Sequence, residues 1–279
     1  MNNIIYPCLW FDGKAREAAE LYCSVFKDTV IKSDNQLVVM LESSGQKLMF
    51  LNGGPMFTTN PSVSFYVICE TDDEIESAWE KLMEGGTAFM TLGKYPWSPK
   101  YGWVQDRFGI SWQLTLGKIS DVGQKLTAAL MFTEEQCGKA EEAVNFYTSV
   151  FEVSEIAGIY KYTKDDNDVE GTVKHSQFRL RNKLFMAMDS SLMHHFTFNE
   201  AISLVVECDT QEEIDFLWDT LTEGGEESQC GWLKDKYGFS WQIIPSILSE
   251  LMIDIHKSER VMNAFLKMKK FDIEKLKNA

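Results

Sequence analysis

Residues 13–26, GKAREAAELYCSVF, return as GKAEEAVNFYTSVF at 138–151, with nine of fourteen positions identical. Two further blocks follow in the same order in both halves. ICETDDEIESAWEKLMEGG at 68–86 matches ECDTQEEIDFLWDTLTEGG at 207–225, and GWVQDRFGISWQ at 102–113 matches GWLKDKYGFSWQ at 231–242. Three ordered blocks establish an internal duplication, which has to be read before any single motif. The spacing between blocks locates the length changes. The second half is longer around Lys161–Asp168 and shorter where the first carries Leu92–Pro99. Both stretches read as loops, being polar or proline-containing.

Periodicity supplies the elements. Ala15, Ala18, Ala19, Tyr22, Val25 and Phe26 fall on one helical face, and Ile75, Ala78, Trp79, Leu82 and Met83 on another. The latter helix opens with Thr71 and Glu74 and closes at Gly85-Gly86; Thr210 and Glu213 repeat the start. Apolar runs at 4–11, 63–69, 126–132 and 201–208 precede the helices as strands. Short extended runs at 36–42, 47–52, 101–106 and 110–116 follow them. The order is strand, helix, then two or three strands, four times over. It predicts an α+β fold of four βαβββ modules, two per half, with helices on one face of each sheet. Along 110–116, Ile110, Trp112, Leu114 and Leu116 pack under the helices, while Ser111, Gln113 and Thr115 face the concave side. Phe239, Trp241 and Ile243 repeat the packing role, with Ser240 and Gln242 opposite them. Residues 1–120 and 121–250 form the expected domains. The segment 251–279 is a helical tail, with helices through Ile247–Ile255 and Val261–Met268 and six lysines beyond residue 256.

Composition bounds the function. The 279 residues carry a net charge of -15, which opposes binding to nucleic-acid phosphates or an anionic membrane surface. No apolar run approaches the roughly 18 residues of a bilayer span, and the first residues do not read as a signal peptide. The six cysteines form no CxxC pair and are expected as free thiols, consistent with a cytoplasmic protein.

The motifs carry a family likeness over nearly the whole chain. Pro7–Ala15 leading to Glu17-Ala18, Leu51-Asn52-Gly53-Gly54-Pro55, Phe198–Ser203, Cys230–Gly238, Ser240-Trp241-Gln242 and the tail Arg260–Phe265 resemble the PhnB-like family. That family lies within the vicinal oxygen chelate superfamily of glyoxalases, bleomycin-resistance proteins and dioxygenases. The resemblance implies paired βαβββ modules, and with them a demethylubiquinone methyltransferase label. In the second half Met188-Asp189-Ser190-Ser191 replaces Asn52-Gly53-Gly54-Pro55, so the role of that loop is expected in the first half alone.

Metal-dependent members of the superfamily place His or Glu on first strands and Glu near the end of last strands. By resemblance the last-strand slots hold Gln113 and Gln242, after Asp106-x-x-Gly109 and Asp235-x-x-Gly238. The first-strand slots fall at or near Pro7, Ser62, the 126–132 strand and Ala201. Neutral amides are weak ligands, so neither a metal nor any other cofactor is expected. His175, His194-His195 and His256 read as surface or packing residues. No G-x-S-x-G elbow, Walker loop, G-x-G-x-x-G turn or adenosylmethionine motif is legible.

There remains an apolar cleft with a few oriented polar groups, the usual make-up of a small-molecule site. Its candidate residues are Trp10, Asn52, Ser62, Trp103, Ser111, Gln113, Trp232, Ser240 and Gln242. Three readings stand: a protein binding a small organic molecule, an enzyme acting on a small metabolite, and a structural or interaction module. Fusion of the halves predicts a pseudo-twofold monomer, with a further homodimer allowed.

Overall fold

The computed structural model describes residues 4–253 and 255–279; the side chains of Ile255 and His256 lie outside that description. Strand, helix and three strands recur four times. The first module is β1 (Ile5–Phe11), α1 (Ala15–Val25), β2 (Thr29–Asp34), β3 (Val38–Ser43) and β4 (Gln46–Asn52). The second is β5 (Val63–Cys69), α2 (Asp72–Met83), β6 (Thr87–Tyr95), β7 (Ser98–Gln105) and β8 (Ser111–Leu116), followed by the short α3 (Ile119–Val122). The third is β9 (Leu126–Phe132), α4 (Ala140–Val150), β10 (Glu155–Lys161), β11 (Val173–Leu180) and β12 (Lys183–Asp189). The fourth is β13 (Ile202–Cys208), α5 (Gln211–Thr222), β14 (Glu226–Glu227), β15 (Trp232–Lys234) and β16 (Ser240–Pro245). The tail holds α6 (Leu248–Leu251), α7 (Ile255–Phe265) and α8 (Ile273–Lys277).

Two compact units divide the chain: Met1–Pro7 with Ser203–Ala279, and Cys8–Ile202. In the larger unit an eight-stranded sheet runs in the order β10-β11-β12-β9-β5-β8-β7-β6. Its centre is an antiparallel pair, β5 against β9, from Val63↔Leu130 to Val67↔Leu126, so the second and third modules share one sheet. The same unit holds β4 between β3 and the Cys8–Phe11 part of β1. In the smaller unit β13 runs parallel to β16, with β15 and β14 antiparallel beyond it.

The four module helices, α1, α2, α4 and α5, form because each has an apolar stripe and a satisfied start. Thr71 accepts from the Glu74 N–H, and Thr210 from the Glu213 N–H, so the capping device operates in both repeats. For α1 and α4 the start is held from a strand end. Asn52 Oδ1 accepts from Ala15 N–H, and Asp189 Oδ1 accepts from the N–H groups of Gly138 and Ala140. The sequence placed this loop's role in the first half alone; Asp189 performs it in the second, because a carboxylate accepts backbone N–H groups as an amide oxygen does. Both faces of β8 are buried up to Thr115, with Leu116 half-buried at its end; Trp112 lies under the helices as predicted, its ring centroid 4.9, 5.1 and 5.3 Å from those of Tyr22, Phe26 and Phe65.

Two expectations change. Leu92–Pro99, read as a loop, is the end of a long hairpin in which β6 and β7 pair from Thr87↔Gln105 to Tyr95↔Ser98. Register shifts along the ladder absorb the irregular sequence, and Tyr95, Trp97 and Tyr101 pack as three rings 5.2–5.7 Å apart. The helix expected through Ile255 stops at Leu251, with α7 starting separately. Two of the tail lysines are docked: Lys269 pairs with Glu227, and Lys270 with Asp215 and Asp219. Gln211 clamps the tail further, accepting from Ile273 N–H and donating to the Phe271 carbonyl.

Candidate functional site

On the face of β8 turned away from the helices, Ser111, Gln113 and Thr115 stand in one row. Gln113 is 5% exposed and has both ends of its amide engaged. Its Oε1 accepts from the Tyr101 hydroxyl at 2.7 Å, and its Nε2 donates to Ser64 Oγ at 2.7 Å. Burial pushes the Tyr101 phenol far above its ordinary range, so it stays protonated and serves as donor. Ser111 Oγ accepts from Trp103 Nε1 at 2.7 Å, and Thr115 shares a 2.9 Å bond with Ser98. The register explains the cluster: Trp103 and Tyr66 both lie opposite Gln113, and Ser64 lies opposite Ser111.

The smaller unit repeats the row with Ser240 and Gln242. Gln242, also 5% exposed, donates from Nε2 to Ser203 Oγ at 2.9 Å. Half-buried Trp232 lies opposite Gln242 on β15.

The remaining candidates, Trp10, Asn52 and Ser62, make contacts of their own within the larger unit. Trp10 donates from Nε1 to the Gly54 carbonyl at 2.6 Å and meets Phe57 edge-on at 5.0 Å. Gly53 lies under that indole so closely that a Cβ would come within 2.1 Å of Trp10 Cζ2. Asn52, besides holding α1, donates from Nδ2 to the Gln36 carbonyl. Trp10 and Asn52 thus secure the turn after β4. Ser62 is buried just before β5; its N–H donates to Asn60 Oδ1 and its carbonyl accepts from Met131 N–H. The β5 residue that meets Gln113 is Ser64, which the sequence reading did not single out.

Tyr101 and Asp106 were also missed. Asp106 accepts four bonds: Oδ2 from the Tyr22 hydroxyl and Trp112 Nε1, Oδ1 from the N–H groups of Phe108 and Ile110. Asp235 accepts likewise from Trp241 Nε1 and the N–H groups of Tyr237 and Phe239. The recurring D-x-x-G served as a landmark for the glutamines; its aspartate is the residue that holds the turn.

Around Gln113 the polar groups are Ser64 and Tyr101, both neutral and each bonded to the glutamine amide. A divalent cation needs carboxylates or imidazoles there, so these residues do not fit one. Among the described residues no group of three His, Cys, Asp or Glu side chains converges. An adenosylmethionine site built on a glycine-rich strand-to-helix turn does not fit either. The starts of α1, α2, α4 and α5 are occupied by Asn52, Thr71, Asp189 and Thr210.

Three of the histidines have described side chains, and local bonds hold them. His175 is half-buried beside Gln177 at 3.3 Å, and His194 bonds Ser190 at 2.7 Å. Glu134 Oε1 accepts from the N–H groups of both His194 and His195. Burial lowers the pKa of His175 and His194. An unfolded histidine takes up its proton near pH 6.5 while these resist it. The unfolded state therefore binds more protons as pH falls below that value, and stability decreases. The thermal midpoint should drop between pH 7 and pH 5, and by less in a His175→Gln variant; an equal drop in both would remove His175 as a cause.

A protein-family profile described as 3-demethylubiquinone-9 3-methyltransferase matches residues 3–115 and again 124–244. The chain belongs to this family. Among solved structures, a putative 3-demethylubiquinone-9 3-methyltransferase, PhnB protein, from Bacillus cereus is 37% identical, covering 40% of this chain and 98% of that one, with a TM-score of 0.38. Glyoxalase I from Zea mays is 12% identical over 91% of this chain and 98% of its own, with a TM-score of 0.59. The glyoxalase likeness shows a shared fold over most of the chain. No curated protein matches.

Proposed function

We propose that this family member binds a small organic molecule on the sheet face turned away from the helices, using amide and hydroxyl groups in place of a metal. One observation carries the reading: the buried serine–glutamine pair recurs, Ser64–Gln113 at 2.7 Å and Ser203–Gln242 at 2.9 Å, each beside a strand tryptophan. Buried oriented amides within apolar walls are how small-molecule sites obtain specificity. The same proposal takes residues 1–120 and 121–250, followed by the tail 251–279, as the domain organisation, and the chain as a pseudo-twofold monomer. Light scattering should then give about 32 kDa, the mass of one chain. The net charge of -15 supports a partner that is neither nucleic acid nor an anionic membrane, and no helix among the described residues is long and apolar enough to cross one. The free cysteines support a cytoplasmic location.

A thermal-shift screen of metal-free protein against divalent cations and small metabolites tests the proposal. A binding organic compound at about 100 times its dissociation constant should add roughly 2.7 kcal/mol of stability. A shift with manganese, nickel or zinc that disappears in the Gln113→Ala, Gln242→Ala double variant would overturn it, as would turnover of any stabilising compound.

A further inference from the structure

The two repeats place the same residues at matching positions but finish them differently. Trp103, Ser111 and Gln113 correspond to Trp232, Ser240 and Gln242, while Tyr101 corresponds to Cys230. In the first repeat every polar atom of the row has an internal partner: Tyr101 donates to Gln113 Oε1, Ser64 accepts from Gln113 Nε2, and Trp103 donates to Ser111. In the second repeat two of these partners are missing. Cys230 has no hydroxyl, and the tail holds it elsewhere: its N–H bonds the Met268 carbonyl and its Sγ lies 3.8 Å from the Phe265 carbonyl. Gln242 keeps its Nε2 bond to Ser203, and its Oε1 accepts no bond from the described residues. Ser240 Oγ is fully buried and has no hydrogen-bond partner among the described residues.

A buried hydroxyl without a partner costs free energy and is rare in a folded protein. Ser240 and Gln242 are two residues apart on one strand and face the same side, about 7 Å from each other along it. We infer that the second repeat, and not the first, holds the receptive site, and that it takes a hydroxylated aromatic molecule of phenol type. This deepens the binding proposal above and rests on it. A hydroxyl is the group that can both donate, as Gln242 Oε1 requires, and accept, as the Ser240 O–H requires. Trp232, opposite Gln242, supplies an aromatic wall for the ring. In the first repeat the Tyr101 phenol is itself such a group, supplied by the chain: it occupies the Gln113 acceptor that a ligand would use.

The test uses the full chain and two probes of similar size, phenol and toluene, titrated while the side-chain amide NMR signals of Gln242 and Gln113 are followed. Phenol should shift the Gln242 amide and leave Gln113 still, and toluene should bind at least fivefold more weakly. Ser240→Ala should weaken phenol about fivefold, the equivalent of one hydrogen bond of roughly 1 kcal/mol. The same variant should raise the thermal midpoint without phenol, since it removes the orphaned hydroxyl; this guards against a misfolded variant. Tyr101→Cys, which gives the first repeat the residue of the second, should make the Gln113 amide respond to phenol. Equal affinity for phenol and toluene, or a Gln113 response in the unaltered chain, overturns this inference and leaves the binding proposal standing. Silence of both amides to these probes overturns the inference, and silence across the full metabolite screen as well overturns the proposal beneath it.

Discussion

Asp106→Ala should destabilise the chain by about 3–5 kcal/mol, the cost of removing one partner from a buried charged network. The carboxylate is 4% exposed, and its loss strands four donors at once: the Tyr22 hydroxyl, the Trp112 indole and two backbone N–H groups. Burial raises the pKa of this carboxyl, and the hydrogen bonds pull it back down. The charge is therefore costly to bury and tolerable only while all four donors are present. Asp106→Asn keeps an acceptor oxygen and should cost less than half as much. Chemical denaturation followed by tryptophan fluorescence measures both; a loss below about 1 kcal/mol for the alanine variant would show that the turn does not depend on this carboxylate. Asp235→Ala should behave similarly, through Trp241.

Gly225→Ala should cost roughly 3 kcal/mol, at the upper end for overpacking, because what it meets is backbone and cannot rotate away. A Cβ at Gly225 would stand 2.1 Å from the Lys234 carbonyl oxygen and 2.8 Å from the Asp235 carbonyl carbon. The neighbouring Gly224 sits at φ +75° with its nearest obstacle, Lys236 Cβ, at 3.4 Å. Gly224→Ala meets only conformational strain, about 1–2 kcal/mol. Circular-dichroism melts of the two variants should therefore rank Gly225→Ala as the more damaging. The reverse order would mean that the turn yields and that space is not limiting there.

Much of the fold was legible because its signals are local. The run 63–69 is β5 and 126–132 is β9, residue for residue, and Thr71 and Thr210 cap the helices they were assigned. The alternation along β8 separated Trp112, which packs on Tyr22 and Phe26, from Gln113, which bonds Tyr101 and Ser64. The hairpin β6–β7 was hidden because Gly93 and Pro96 read as loop residues, and cross-strand pairing with register shifts overrode that preference. Asp189 was read as a departure from Asn52 because the two differ in name; in three dimensions both oxygens face a helix N-terminus.

The candidate site divides the same way. The sequence by itself determined four strand–helix–strand modules, a duplicated polar row, and amides where a metal site would want carboxylates. Tertiary structure alone decided that β5 pairs with β9, that Ser64 meets Gln113, and that Tyr101 closes the first row while Cys230 leaves the second open. The reason is physical. Which side of an element is buried follows from the period of its own residues. Which atom a buried amide meets depends on strand order and register, set by packing between segments far apart in the chain.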